Sequence, residues 1–341
     1  MKRRLVWTAW LAGVLFVLCI LGCLPLALMA RIGTRIHGNG NLPPLRRDDT
    51  TRIAVFGDTQ KGLAAFAALA ERAKAEGIDL AVHTGDLVGH ADPGHYDLAE
   101  SRVRRADLYV PFIVAPGDHD IKGGEGLFED RIGPRQFAIR WGPVDIIVVD
   151  NAVAPPDEGA VERMLASAKG PILLFMHVPP NEPGAKTFTP KPTYIRFLEM
   201  IRKRPVRYVF SGHAHACTRI EDGGIVFISN GVGGDSNSRQ FDRKAWLTIV
   251  EADSKSIKDR SIVIEPVIGA WANIEHLAIG HVGEIVLRRI WGPPALLLLI
   301  IALILVFRRL RKNTRKDPEK DTKKKLKFTP AKPIGEQDVV I

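Results

Sequence analysis

The chain has 341 residues, 46% apolar and 25% charged, with a formal charge of +10. That is ordinary for a folded protein and leaves room for one substantial domain plus further segments. The surplus charge sits at the ends: 308–341 holds twelve Lys/Arg against five Asp/Glu, Lys2, Arg3 and Arg4 add three more, and the middle is near neutral. Nucleic-acid binding therefore lacks an electrostatic basis. The 3 cysteines, Cys19, Cys23 and Cys217, offer no disulfide framework.

In chain order, residues 5–30 carry no charge, and about 20 apolar residues suffice to cross a bilayer. A signal peptide has a shorter apolar region. A lipobox reading of Ile20-Leu21-Gly22-Cys23 is weakened by the apolar residues that continue past Cys23. The expectation is an uncleaved anchor over 1–30. Residues 31–50, rich in Gly, Asn, Pro and Arg, read as a linker.

A rhythm of strands and helices follows, expected to form one domain over 51–266. Arg52–Phe56 reads as a strand running into Gly57-Asp58-Thr59-Gln60, and an Ala-rich helix covers Leu63–Glu76. Leu80–Thr84 runs into Gly85-Asp86, and Tyr96–Asp107 is helix-like. Pro111–Ala115 runs into Pro116-Gly117-Asp118-His119-Asp120. The segments 137–140 and 145–149 flank Trp141-Gly142-Pro143 as a hairpin, and a helix over 158–168 opens on Asp157 as cap. Ile172–Met176 ends at His177; a helix over 194–204 precedes Val206–Phe210, which ends at Gly212-His213-Ala214-His215. Short strands fill the rest, at 225–229, 246–251 and 261–264. Strands alternating with helices predict an α/β sandwich.

Residues 267–289 read as a membrane-proximal segment. The run 290–307 is just long enough to span a membrane, with Trp291 at an interfacial position. Arg308, Arg309, Arg311, Lys312, Arg315 and Lys316 follow at once, and outnumber Arg288 and Arg289 on the other side. With Lys2, Arg3 and Arg4 they place both ends in the cytoplasm and the domain outside it. The tail 308–341 reads as a disordered basic segment that also touches anionic lipid headgroups.

The chemistry is concentrated at strand ends. Asp58 with Gln60, Asp86, Asp118 with His119, His177, and His213 with His215 each follow an apolar strand, and in open α/β sheets sites form beyond the carboxyl ends of strands. Gly57, Gly85, Gly117 and Gly212 precede the first ligand in four of these clusters, where glycine lets the backbone turn sharply and approach closely. Carboxylates with imidazoles suit divalent manganese, iron or zinc, and this many ligands fit two ions bridged by a carboxylate, a pair that clamps a phosphoryl group and activates water. His119 is the natural acid for the leaving oxygen. Singly, each residue has a bland reading. A Gly-Asp pair serves turns, His83 inside its strand reads as a core histidine, and His90 and His95 read as surface residues. Lys122 and Arg239 lie on loops within reach of a phosphate.

In order, D-x-Q, G-D, G-D-H-D, a lone H and G-H-x-H resemble the calcineurin-like metallophosphoesterase superfamily, whose motifs are commonly D-x-H, G-D, G-N-H-D or G-N-H-E, H and G-H-x-H. The resemblance runs from Asp58 to His215. It implies a β-sandwich flanked by helices, to which the apolar runs add two transmembrane helices. It further implies that Asp58, Gln60 and His215 hold one metal, Asp86 bridges, Asp118, His177 and His213 hold the second, His119 donates the proton and Asp120 orients it. Gln60 stands where His is usual and is a weaker ligand; similar members with Gln favour manganese. Asp118 stands where Asn is usual and adds negative charge. The expected cofactors are two divalent ions, manganese first, with iron, zinc or magnesium as alternatives. The expected activity is metal-dependent hydrolysis of a phosphate ester at the outer membrane surface, a lipid-linked ester included; the rival is a catalytically inactive metal-binding scaffold.

Overall fold

The computed structural model describes residues 50–60, 62–180, 191–230, 245–265, 300–305 and 308. The chain divides into two units, 22–292 and the pair of stretches 1–21 and 293–341. In the second, the described residues 300–305 and 308 are helical. Among the described residues no helix is long and apolar enough to cross a membrane. The expected spans at 1–30 and 290–307, save those few helical residues, and the expected linker, membrane-proximal segment and tail lie outside the described residues, apart from Thr50.

The first unit holds, in order, β1 (Thr50–Phe56), α1 (Leu63–Ala75), β2 (Leu80–His83), α2 (Pro93–Ala106), β3 (Phe112–Val114), α3 (Asp118–Ile121), α4 (Leu127–Arg131), β4 (Phe137–Trp141), β5 (Val144–Val148), α5 (Glu158–Ser167), β6 (Ile172–Phe175), α6 (Lys191–Arg202), β7 (Val206–Ser211), β8 (Cys217–Asp222), β9 (Ile225–Asn230), β10 (Ala245–Asp253) and β11 (Ile257–Ile264). Two sheets result: a five-stranded one ordered β11-β10-β1-β2-β3 and a six-stranded one ordered β4-β5-β6-β7-β9-β8. β1, β2 and β3 are parallel to one another, as are β5, β6, β7 and β9, whereas β10, β11, β4 and β8 pair antiparallel at the flanks.

The layers follow from strands apolar on both faces. Ile53 and Val55 of β1, Leu80 and Val82 of β2 and Ile113 of β3 pack inward against Ile146 of β5, Leu173 and Phe175 of β6 and Phe210 of β7. The alternate residues Ala54, Phe56, Ala81 and Phe112 pack outward against Phe66 and Leu69 of α1 and Tyr96 of α2. Across the second sheet, Ile147, Ile172, Leu174 and Val209 pack against Leu165 of α5 and Phe197 of α6. Strands covered on both faces read as continuous apolar runs, as parallel strands do, so helix, sheet, sheet and helix stack in four layers. Phe175 and Phe210 stack at 5.0 Å in the middle.

The expected hairpin is β4–β5, turning at Gly142 with φ +53. Asp157 caps α5 by accepting from the Ala160 N–H. The second helix starts earlier than Tyr96: Asp92 accepts from the His95 N–H and Pro93 takes the first helical position, the place where a missing N–H costs nothing. Asp118 and His119 lie on α3, a single turn beyond β3, rather than at the strand end itself.

Candidate metal centre

Carboxylates and imidazoles meet at one edge of the sandwich, beyond the carboxyl ends of the parallel strands. Asp58 and Gln60 follow β1, Asp86 follows β2, Asp118 opens α3 beyond β3, His177 follows β6, and His213 and His215 follow β7. Three groups of ligand atoms lie within 4.8 Å of one another: Asp118 with His177 and His213, Asp58 with Asp86 and His177, and Asp86 with Asp118 and His119. His177 Nε2 stands 3.4 Å from Asp86 Oδ1 and 3.2 Å from Asp118 Oδ1, and His213 Nδ1 is 3.3 Å from Asp118 Oδ1. At the far side His215 Nε2 is 3.9 Å from Asp58 Oδ1. The Gln60 amide donates to Asp86 Oδ2 at 3.0 Å.

The backbone is bent to bring these groups together. Asp58, Gln60, Asp86, His213 and His215 all have left-handed backbone, with φ of +50, +31, +58, +66 and +51. For residues other than glycine such angles cost about 1–3 kcal/mol each and concentrate at functional sites. Local hydrogen bonds sustain them: Asp58 N donates to Gly85 O at 3.0 Å, Gln60 N to Asp86 O at 2.9 Å, and His213 N to the Asp58 carboxylate at 3.0 and 3.1 Å. The glycines ahead of the ligands are required by close approach. A Cβ on Gly85 would lie 2.5 Å from His177 Nδ1, one on Gly212 would lie 2.6 Å from Asp58 Oδ2, and one on Gly117 would collide with Asp86.

The residue chemistry fits divalent cations. Asp58, Asp86 and His177 are at most 1% exposed, and buried carboxylates so close together need a positive charge between them. Burial pushes the Asp58 carboxyl well above its usual range, and the Asp86 and Asp118 charges add to that, against the pull of His177. Burial also disfavours charge on His177, yet Asp86, the bond to Asp118 and Asp58 hold its pKa up at about 10. Burial opposes ionisation of Asp118, but its bonds to His177 and His213 hold it below the usual range. Asp58, Gln60, Asp86 and His215 would hold one ion; Asp86, Asp118, His177 and His213 would hold the other.

His119 sits between this cluster and solvent. Its N–H donates to Asp86 Oδ1 at 3.0 Å and its ring Nδ1 lies 2.8 Å from the Gly89 carbonyl oxygen. Burial disfavours the imidazolium, but the Asp86 charge and the Gly89 bond raise its pKa overall. The expectation for Asp120 takes a different form. It is fully buried and accepts from the backbone N–H groups of Asp86, Gly117 and Val88 at 2.8, 2.9 and 2.9 Å. It shapes the two metal loops through their backbone, while the Gly89 carbonyl holds the His119 ring. Burial first, and Asp86 second, raise its pKa to about 7.

His83 is a buried core histidine bonded to Thr59 Oγ1 at 2.9 Å. His95 is buried rather than on the surface, because Asp92 Oδ2 holds its Nδ1 at 2.9 Å; the His90 ring packs on it and lies 6.1 Å from the His119 ring. Lys122 is exposed beyond α3, and Arg239 lies outside the described residues. Two residues were missed from sequence. Asn151 accepts from the His177 and Val178 N–H groups at 3.0 and 3.1 Å, fixing the loop that carries His177. It too follows an apolar strand, β5, which was a usable signal. Arg102 had none.

The sequence model for the calcineurin-like phosphoesterases matches residues 51–217. A curated protein of Fibrobacter succinogenes, named a probable cyclic nucleotide phosphodiesterase, is 26% identical over 151 residues; the match covers 41% of this chain and 58% of that protein. Among solved structures, a purple acid phosphatase from yellow lupin (Lupinus luteus) seeds matches with TM-score 0.52 at 14% identity, over 64% of this chain and 52% of that one. A dimetal phosphatase from Danio rerio matches with TM-score 0.47 at 13% identity, over 64% and 100%. The chain thus spans little more than half the length of the first two.

Proposed function

Residues 51–217 are a calcineurin-like phosphoesterase domain and place the chain in that superfamily; from this premise we propose that it hydrolyses a phosphoric ester at a centre of two divalent ions. The carrying observation is Asp86, whose carboxylate belongs at once to the group with Asp58 and to the group with Asp118. That is the place of a bridging ligand. Two ions held there supply Lewis acidity to the phosphoryl oxygens and an activated water.

The chain's own groups do the rest. The Gly89 carbonyl holds His119 Nδ1, so Nε2 is the atom from which a proton passes to the departing oxygen. The Asp86 charge and the Gly89 bond raise the pKa of His119, which favours the protonated form a general acid needs. Asn151 and the Thr84 carbonyl hold His177 in one orientation, its Nδ1 2.9 Å from Thr84 O, as ligand histidines require. A diester substrate is favoured by the name of the Fibrobacter succinogenes relative, and manganese by an amide at position 60 in place of an imidazole. The apolar runs 5–30 and 290–307 with their basic flanks support a membrane setting, the domain outside the cytoplasm, where a lipid-linked ester is within reach.

The test uses the full chain purified in mild detergent, with a chromogenic diester and monoester, under Mn²⁺, Zn²⁺, Mg²⁺ or chelator. Turnover of the diester that needs metal and disappears in Asp86→Ala is expected. Two tightly bound ions with no turnover of either ester or of a lipid-linked one would make the domain a scaffold.

A further inference from the structure

α2 carries an arginine that the chemistry above does not use. Arg102 is buried among Phe66, His83 and the loops after β1 and β2, and its guanidinium carbon lies 4.8 Å from the centre of the Phe66 ring. Its Nη1 donates to the Gln60 carbonyl oxygen at 2.8 Å and its Nη2 to the Leu87 carbonyl oxygen at 2.6 Å. Its Nε has no partner. A buried guanidinium usually faces a carboxylate; here both acceptors are backbone carbonyls of loops that carry candidate ligands. Burial lowers its pKa to about 10, against the charge of Asp120, so it remains a cation in the physiological range.

The two acceptors lie where the centre is weakest. Gln60 is the neutral ligand, held at φ +31, with its N–H already bonded to Asp86 O. Leu87 adjoins Asp86. One rigid fork therefore fixes the Gln60 loop against the Asp86 loop. We propose that Arg102 is a positioning residue chiefly for the ion held by Asp58, Gln60 and His215, and reaches the other only through the shared Asp86 loop. This rests on the two-ion reading above.

The test counts ions without activity. The full chain is stripped with chelator and titrated with Mn²⁺, read by calorimetry and by elemental mass spectrometry after gel filtration. The wild type should bind two ions. Arg102→Met should weaken one site about 10–100-fold, the usual effect of losing a group that orients a ligand, and the other markedly less. Adding Arg102→Met to Asp58→Ala should change little more. Arg102→Lys keeps a cation but reaches only one carbonyl; it should show the same split more weakly, and it replaces Arg102→Met if that variant does not fold. Equal weakening of both sites, or of neither, in a folded variant overturns the inference alone. A wild type that binds no Mn²⁺ overturns the two-ion reading and this inference with it.

Discussion

The two sheets contribute unlike halves to one centre. The loops after β1, β2 and β3 bring the carboxylates Asp58, Asp86 and Asp118 with the amide of Gln60; those after β6 and β7 bring His177, His213 and His215. His119 is the imidazole of the acidic side whose ring lies with the Asp86 and Asp118 carboxylates. The halves are tied down by different groups. The acidic loops are cross-linked by Asp120 and Arg102 through their backbones, whereas His177 hangs on Asn151 and Thr84. Neither sheet alone holds a complete ligand set, so the ions should act as stitches between sheets as well as Lewis acids.

The sharpest way to break that picture is to remove Asp86, the residue proposed to bridge the two ions. Asp86→Ala should cut turnover at least about 10³-fold, since metal contributes several kcal/mol to such transition states at 1.36 kcal/mol per decade. It should also lower the bound-ion count, read by elemental analysis. An active variant with two ions would remove Asp86 from the bridge. His119→Ala tests the imidazole that the acidic half adds to the carboxylates. A loss of about 10²–10⁴-fold is expected for an ester with a poor leaving group, with a smaller loss for a nitrophenolate that needs no proton and no change in ion count. A drop in bound ions would make His119 a ligand instead.

Chelation tests the stitch. Withdrawing ions that had stood at a hundred times their dissociation constant should cost about 2.7 kcal/mol of stability per ion, read as a lower denaturant midpoint. An unchanged midpoint would mean that the sheets do not share an ion. The smallest effect sharpens the comparison from within the first sheet. Burial, with Arg102 and His177 nearby, holds His83 far below its ordinary pKa, so the unfolded chain takes up the proton first. Stability from this group is intact above about pH 6.5 and is lost as pH falls below it, by up to about 1.36 kcal/mol per unit. His83→Gln should flatten the acid limb of stability against pH; an identical limb would assign it to other groups.

How much of this was legible in sequence differs between the halves. Strands buried on both faces announce themselves as apolar runs, and those that lead to the site end two to four residues before a ligand type, so Asp58, Asp86, His177 and the His213–His215 pair stood out. The Asp157 cap and the turn at Gly142 were equally local. Asp92 caps α2 four residues ahead of the helix expected from Tyr96, and the burial of His95 against Asp92 appears only in the fold. Asp120 lay beside His119 in the chain, yet its oxygens point to the backbone of Asp86, Val88 and Gly117, a relation no spacing reveals.

By itself the sequence determined the strand order of events along the chain, the ligand types and the glycines that admit them, because these depend on local periodicity and on the absence of a side chain. Only the tertiary structure decided which residues share an ion group, that Arg102 reaches across 42 positions to Gln60, and that acidic and imidazole loops meet. Those outcomes depend on how two twisted sheets stack through a common apolar layer, a relation between distant segments that no window of sequence contains.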